Sequence, residues 1–563
     1  MEKLWLKSYA KGIPPTINYE KTTMPQALGR SAAELPDKTA LIFIDAKISY
    51  RQLNDMANRF ANALIDMGVK PGDKIAMLMP NMPQLVAATY GAWRAGAVVV
   101  MNNPLYTDTE LEYQFNNSES SLLVTIDLLG PRMIALQPKT GIKNIVIAHI
   151  RDHLKFPKKQ LLPLVARDKH REISPQQNVH EWMNLLKKYP PKDPGIPVDF
   201  EGLASLQYTG GTTGVSKGVT LTHANLSKNV QQIAAWFPGF NKGEITQLGV
   251  LPIFHSFGLT CCMNICVWMG WADVLIPRPE AQTILEAVHK YKVNFFPAVP
   301  TMYVGVLNHP KLSQYSLTSI KGCFSGAAPL PVEVIKDFEA RTGSQICEGY
   351  GLSETSPVVT TNPFGGKTKV GSIGLPVSDT DIKIVDIAEG TKEVPLGEAG
   401  ELIIKGPQVT SGYYKMPEET ALTIRDGWLY TGDIGKMDEE GYFYIVDRKK
   451  DMIIAGGYNI YPREIDEILF EHPKILEACA VGIPDPYRGE TVKAYVVLKP
   501  GEKMTAEEVI QYCQEKLAKY KVPKTVEFMA SLPKSMVGKI LRKELRAMEM
   551  AKKKNQEIGE LRD

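Results

Sequence analysis

Cysteine is scarce in this chain of 563 residues: there are seven, an odd number, and none stands in a CxxC pair. That spacing argues against a disulfide framework and marks no zinc site, so a reducing, cytoplasmic setting is the expectation. An excess of one charge is also missing. Sixty-five Lys and Arg face 62 Asp and Glu, for a net +3, and nothing in that balance points to nucleic acid. No apolar run approaches the length of a membrane span, and the opening MEKLWLKSYAKGIPP lacks the continuous apolar stretch of a secretory signal. The protein is therefore expected to be soluble, or at most peripheral to the inner membrane face. Cys261, Cys262 and Cys266 sit in an apolar stretch and read as core packing, since free cysteine behaves as a small hydrophobe.

What the chain does have is length, more than one hydrophobic core usually serves, which favours an enzyme of two or more domains over a small binding module. Between about Thr39 and Asn103, β-type runs (TALIF, KIAMLMP, AGAVVVMN) alternate with the helical patterns SYRQLNDMANRFANALIDMG and QLVAATYGAWRAG. The alternation returns in LGVLPIF, ADVLIPR, VNFFPAV and IKGCFSG, and predicts an α/β fold with more than one layered sheet. After roughly Asp379 shorter runs with turn residues (DIKIVD, GELIIKG, GYFYIVD) suggest a β-rich subdomain. DRKKD, Asp447 to Asp451, places five charges between apolar strands and reads as a hinge. The expected division is therefore a large domain over 1–446, a hinge over 447–451, and a small, mobile α+β domain over 452–563. The stretch from Arg151 to Arg171 mixes Leu, Phe and Val with an excess of Lys and Arg. It has two readings, a surface helix with a solvated face and a segment in peripheral contact with anionic membrane.

The most informative segment is YTGGTTGVSKG, Tyr208 to Gly218. Gly210, Gly211 and Gly214 let backbone N–H groups approach an anion, Thr209, Thr212, Thr213 and Ser216 add hydroxyls, and Lys217 adds charge, which together make a phosphate cradle. It is not a Walker loop, because Ser216 rather than glycine precedes the lysine. A plain Gly/Thr turn is the competing reading of these residues alone.

Here the chain resembles the adenylate-forming superfamily of acyl-CoA synthetases, peptide-synthetase adenylation domains and beetle luciferases, whose signature runs close to YTSGTTGxPKG. Gly210 and Ser216 depart from that pattern, which touches how the loop grips the β- and γ-phosphates but leaves its donors and lysine in place. Further segments match in order across nearly the whole chain. In EGYGLSET, the resemblance implies that Glu348 and Gly349 border the nucleotide, Tyr350 stacks on adenine, Ser353 meets the α-phosphate and Glu354 holds Mg²⁺. The last role suits a lone carboxylate beside a polyphosphate. SGAAPL places Gly326 and Ala327 near adenine and the acyl pocket. WLYTGD offers Asp433 to the ribose hydroxyls, and Arg448 of DRKKD matches a second ribose contact. Taken singly, each of these residues also reads as an ordinary loop or surface position.

The resemblance also implies the mechanism. Lys539, in PKSMVGKILRKEL, matches the lysine that reaches the carboxylate and α-phosphate oxygens, where positive charge is needed as two anions meet. No general base is required, because a carboxylic acid is already ionised near neutral pH. The small domain then turns about Lys450 and presents GGYNIYP, so that Gly456, Gly457 and Tyr458 line a coenzyme A tunnel. His255, in LPIFHSFGL, matches a residue at the acyl pocket, with a packing histidine as the competing reading. Trp236, Phe254, Phe257, Val299 and Ala327 are candidate pocket walls, Trp236 from position alone and equally readable as core.

The expected activity is that of an AMP-forming acyl-CoA synthetase resembling bacterial medium- and long-chain fatty-acid ligases. It would take a hydrophobic acid, ATP, Mg²⁺ and coenzyme A to acyl-CoA, AMP and pyrophosphate, reversibly. The alternatives are an alicyclic or aromatic acid, an acceptor other than coenzyme A, and a nucleotide-binding regulator without turnover. Chain length, physiological direction and oligomeric state lie beyond the sequence.

Overall fold

The run Thr39–Phe43 is a buried strand, as its β-branched and apolar residues predict, and it lies beside Ala272–Leu275 in parallel register. In this computed structural model the described residues are 3–154, 170–209, 216–455, 458–485, 487–535 and 539–560. The helix Tyr50–Asp66 begins where Ser49 accepts from the backbone of Gln52 at 3.2 Å and the Gln52 side chain returns a bond to Ser49 N–H at 2.9 Å, a reciprocal cap. Its apolar face buries Leu53, Phe60 and Leu64 completely.

Two compact units divide the chain: 5–381 with 404–429, and 1–4 with 382–403 and 430–563. The larger carries two sheets. In the first, Val179–Glu181, Asn144–Ala148, Ser120–Ile126, Lys74–Leu78, Val98–Met101 and Leu203–Thr209 run parallel, and Lys217–Thr222 closes the edge antiparallel. In the second, Thr246–Gly249, Phe295–Ala298, Gly322–Ser325 and Ile346–Gly351 are parallel neighbours at the centre of nine strands. The core against this sheet is built on Leu248, Val274, Phe296, Tyr303 and Phe338. Parallel strands deliver their following loops to one edge, where ligands of such sheets bind. The loops leaving these four strands hold His255, Val299, Gly326 and Ser353.

The smaller unit holds most of a β-rich sheet made of Asp381–Val385, Gly400–Lys405, Trp428–Met437 and Phe443–Arg448, with the short Ile424–Arg425 strand at its end. It also holds a five-stranded sheet centred on the hairpin Ile475–Asp485 and Gly489–Leu498. Helices Pro462–Phe470 and Ala506–Lys516 cover it through Ile465, Leu469, Val509 and Cys513. Asp447–Asp451 lies inside this unit. Of the basic segment, residues 155–169 fall outside the described residues, so its two readings stand as they were. Cys261, Cys262 and Cys266 are buried in and beside the π-helical turn Leu259–Asn264.

Candidate functional site

The strands on either side of the glycine-rich segment, Leu203–Thr209 and Lys217–Thr222, pair antiparallel in the larger unit. Thr209 pairs with Lys217 in antiparallel register, and Ser216 Oγ donates to the Thr209 carbonyl at 2.9 Å, so both stems of the loop are fixed. Gly210, Gly211, Thr212, Thr213 and Gly214 lie outside the described residues. Lys217 is largely buried, is ion-paired with Glu419, and places its amine 5.4 Å from the centre of the Tyr413 ring. Tyr413 in turn donates from its hydroxyl to Glu354 Oε1 at 2.8 Å, and burial beside that carboxylate pushes its own pKa well up. The Glu354 carbonyl accepts from Thr410 N–H at 2.7 Å. One segment, Thr410 to Glu419, thus braces the two groups assigned to phosphate and metal. Sequence reasoning missed Tyr413 and Glu419, since the stretch TSGYYKMPEET carries no local pattern that marks either.

Ser353 opens a short turn after the strand Ile346–Gly351, and its Oγ stands 3.3 Å from Ser256 Oγ. Thr260 Oγ1 donates to the Ser356 carbonyl at 2.6 Å. These bonds bring LPIFHSFGL against GYGLSET. His255 is held by its own backbone, as Nδ1 accepts from Phe257 N–H at 3.2 Å. Phe257 meets Phe324 edge-on at 5.6 Å, and a Cβ on Gly326 would come within 3.2 Å of the Phe257 ring. Glycine at 349 is demanded more strongly. A Cβ there would lie 2.4 Å from Phe324 and 2.8 Å from the Thr360 carbonyl, closer than real contacts allow. Ala327 has φ 71, a left-handed backbone that costs an L-residue energy and that clusters at functional turns. Glu348 is buried and accepts from Leu330 N–H at 3.1 Å, tying the SGAAPL turn to the neighbouring strand, while Tyr350 is half-buried. Val299 is buried just before the helix Pro300–Leu307, and Phe254 is half-buried. Trp236 is placed elsewhere: it is fully buried, 4.8 Å from Tyr9 edge-on, with Nε1 donating to Ser378 Oγ at 3.1 Å.

In the smaller unit, Asp433 and Arg448 face each other across paired strands, and their side chains form an ion pair at 3.0 Å. Lys539 sits at a tight turn where Ser535 Oγ accepts from its N–H at 3.2 Å. Part of its surface is open, yet protein surrounds the amine closely enough that burial, aided by Arg448 and Lys450, lowers its pKa to about 8 against the pull of Asp433 and Asp451. Lys450 is lowered likewise, by burial first and Arg448 second. Its carbonyl accepts from Arg546 at 3.2 Å, and Arg546 is also ion-paired with Asp451. Tyr458 is exposed and stacked on Tyr520 at 4.6 Å, while Gly456 and Gly457 lie outside the described residues.

Residues 28–414 match the family described as AMP-binding enzyme, and residues 464–539 match the AMP-binding enzyme C-terminal domain. The chain is 47% identical over 547 residues to a long-chain-fatty-acid–CoA ligase of Bacillus subtilis, covering 97% of this chain and 98% of that one. It is 37% identical over 559 residues to the Escherichia coli O157:H7 protein of the same name, again covering 97% and 98%. Among solved structures, the anthranilate CoA ligase AuaEII in complex with anthranoyl-AMP superposes with a TM-score of 0.85 at 27% identity, over 95% of this chain and 98% of that one. ATP-bound MatB from Rhodopseudomonas palustris superposes with a TM-score of 0.82 at 29% identity, over 94% and 99%.

Proposed function

This chain belongs to the AMP-binding enzyme family, and from that premise we propose that it is an AMP-forming acyl-CoA synthetase whose acid is a long-chain fatty acid. The acid class follows the names of the bacterial relatives at 37 to 47% identity. The observation that carries the chemistry is the arrangement around Glu354. A half-buried carboxylate held by Tyr413, on a segment that also engages the phosphate-loop lysine, suits one metal ligand beside a polyphosphate. Glu354 would hold Mg²⁺, which when bound neutralises phosphate charge.

In the first half-reaction the ionised fatty acid attacks the α-phosphorus of ATP, the bond to the β-phosphate oxygen breaks, and pyrophosphate leaves. Lys217 and the loop N–H groups bind the departing phosphates, and Ser353 donates to the α-phosphate. Asp433 accepts from the ribose hydroxyls, and Arg448, ion-paired with it, is the second ribose contact. Lys539 places charge on the carboxylate and α-phosphate oxygens as the two anions meet. Rotation about Lys450 then withdraws Lys539, Tyr458 and its two preceding glycines receive the pantetheine arm, and the thiol displaces AMP from the acyl-adenylate. Phe254, Phe257 and Val299 wall the acyl chain, with His255 at its carboxyl end.

Incubation with ATP, Mg²⁺, coenzyme A and a panel of C8 to C18, alicyclic and aromatic acids, followed by mass analysis, tests this. The expected products are acyl-CoA, AMP and pyrophosphate, with the highest kcat/KM for long chains. Adenylate without any thioester defeats the coenzyme A assignment. A preference for aromatic acids would favour the second reading, supported by the likeness to the anthranilate ligase fold.

A further inference from the structure

In the parallel sheet that carries the phosphate loop, the strands Ser120–Ile126 and Asn144–Ala148 are neighbours, and each is followed immediately by a titratable residue: Asp127 after the first, His149 after the second. Both therefore leave the sheet at the same edge. His170, near the end of the basic segment, joins them. The three offer one carboxylate oxygen and two ring nitrogens, all within 4.8 Å of one another.

Their hydrogen bonds leave a gap. Asp127 is 1% exposed, and its Oδ2 receives His170 Nδ1 at 2.8 Å and the Arg171 N–H at 2.9 Å. His149 Nδ1 is 3.1 Å from the same oxygen yet makes no aligned hydrogen bond, and Asp127 Oδ1 has no hydrogen-bond partner among the described residues. On its far side, His149 Nε2 meets Glu181 at 2.7 Å. Burial opposes a charge on this ring, but the Asp127 and Glu181 carboxylates on either side outweigh it and raise the His149 pKa to about 9, so in the absence of another cation Nδ1 carries a proton. A metal ion at Nδ1 would take that proton's place against the buried Asp127 carboxylate, while Nε2–H stays on Glu181.

We propose that Asp127, His149 and His170 bind a divalent transition cation of the Zn²⁺ type, with Glu181 orienting His149. Two imidazole nitrogens and one carboxylate oxygen form a donor set that zinc accepts with a fourth position left to water. A carboxylate on the outer nitrogen of a ligating histidine is the usual support of such a site, setting the tautomer and raising ligand basicity. Since His149 stands just before the basic segment and His170 near its end, the ion would join those two positions at the sheet edge. This role is separate from adenylation, which uses none of the three residues.

The test uses the full chain, stripped with a chelator and kept free of nucleotide, titrated with Zn²⁺ by calorimetry and with Co²⁺ by visible absorption. One equivalent of Zn²⁺ bound in the micromolar range or tighter is expected, with a tetrahedral Co²⁺ spectrum. Asp127→Asn and His170→Gln should each weaken binding at least tenfold, and Glu181→Gln should weaken it by about 10- to 100-fold, the range typical of an outer-shell partner. His170→Gln changes a partly exposed residue, so it decides the matter if Asp127→Asn fails to fold. Binding that is absent, that appears only at millimolar Zn²⁺, or that persists unchanged in His170→Gln overturns the proposal, and the cluster is then held by shared protons alone.

Discussion

The two units hold their candidate catalytic lysines in opposite ways. In the larger, Lys217 is matched by Glu419 and Glu354 is satisfied by Tyr413, so each group rests against an internal partner that resembles what a ligand would later supply. In the smaller, Lys539 is crowded by Arg448 and Lys450, and burial holds its amine near a pKa of about 8. One region is calm without substrate, and the other is loaded. The difference fits their proposed tasks: a loop that receives a polyphosphate can wait in a paired state, whereas a lysine that stabilises a transient meeting of two anions gains from being costly to keep charged until they arrive.

The contrast is broken most severely by removing the loaded group. Lys539→Ala should lower acid-dependent pyrophosphate exchange by about 10²- to 10³-fold, the cost of losing one preorganised charge, while thioester formation from supplied acyl-adenylate falls far less. Equal loss in both steps would sink the assignment. Glu354→Gln should follow, lowering exchange by about 10²-fold and raising the Mg²⁺ concentration needed for half-maximal rate. An unchanged Mg²⁺ dependence would remove Glu354 from the metal.

A milder probe is pH. The Lys539 pKa is lowered to about 8, so its charge is lost as pH rises through that value, and kcat/KM for adenylation, which reports the free enzyme, should fall about tenfold per unit above it. The profile of a Lys539→Arg variant should stay flat there. Stability has the opposite sign. Between the folded value near 8 and the ordinary lysine value of 10.5, the unfolded chain binds more protons, so stability rises with pH across that window, and below it the full cost of charging is present. At pH 7, Lys539→Met should therefore stabilise the fold by about 1 to 3 kcal/mol, read by urea denaturation, in the manner of a functional residue that costs stability. The smallest effect is expected in the calm region. Glu419→Gln should lower the KM for ATP by about two- to fivefold, because a partly exposed ion pair is worth about 1 kcal/mol or less.

Much of this was legible because it is local. Thr39–Phe43 is a strand at the residues its apolar run marks, and Tyr50–Asp66 begins where Ser49 and Gln52 cap it. The candidate phosphate cradle stands out in the sequence because its glycines, threonines and lysine fall within eleven residues. Partners that topology supplies were not readable. Glu419 lies 202 positions from Lys217, and Tyr413 lies 59 from Glu354, with no pattern joining either pair. Within DRKKD, whose five charges read as a hinge, Asp447 is buried and accepts from Arg463 N–H at 2.7 Å, a contact that only the fold supplies. Asp127, His149 and His170 escaped notice for the same reason, since only the adjacency of two strands brings them to one edge.

With Lys217 in the role proposed for it, its pair with Glu419 also bears on selectivity among anions. A carboxylate tethered beside the lysine competes at an effective concentration of about millimolar or more, whatever the solution contains. Chloride, acetate or single phosphate must displace it with one weak contact, and a nucleotide triphosphate does so with many at once. Inhibition by simple salts should accordingly be feeble, and after each turnover the departing pyrophosphate is followed by an intramolecular rival that hinders its return.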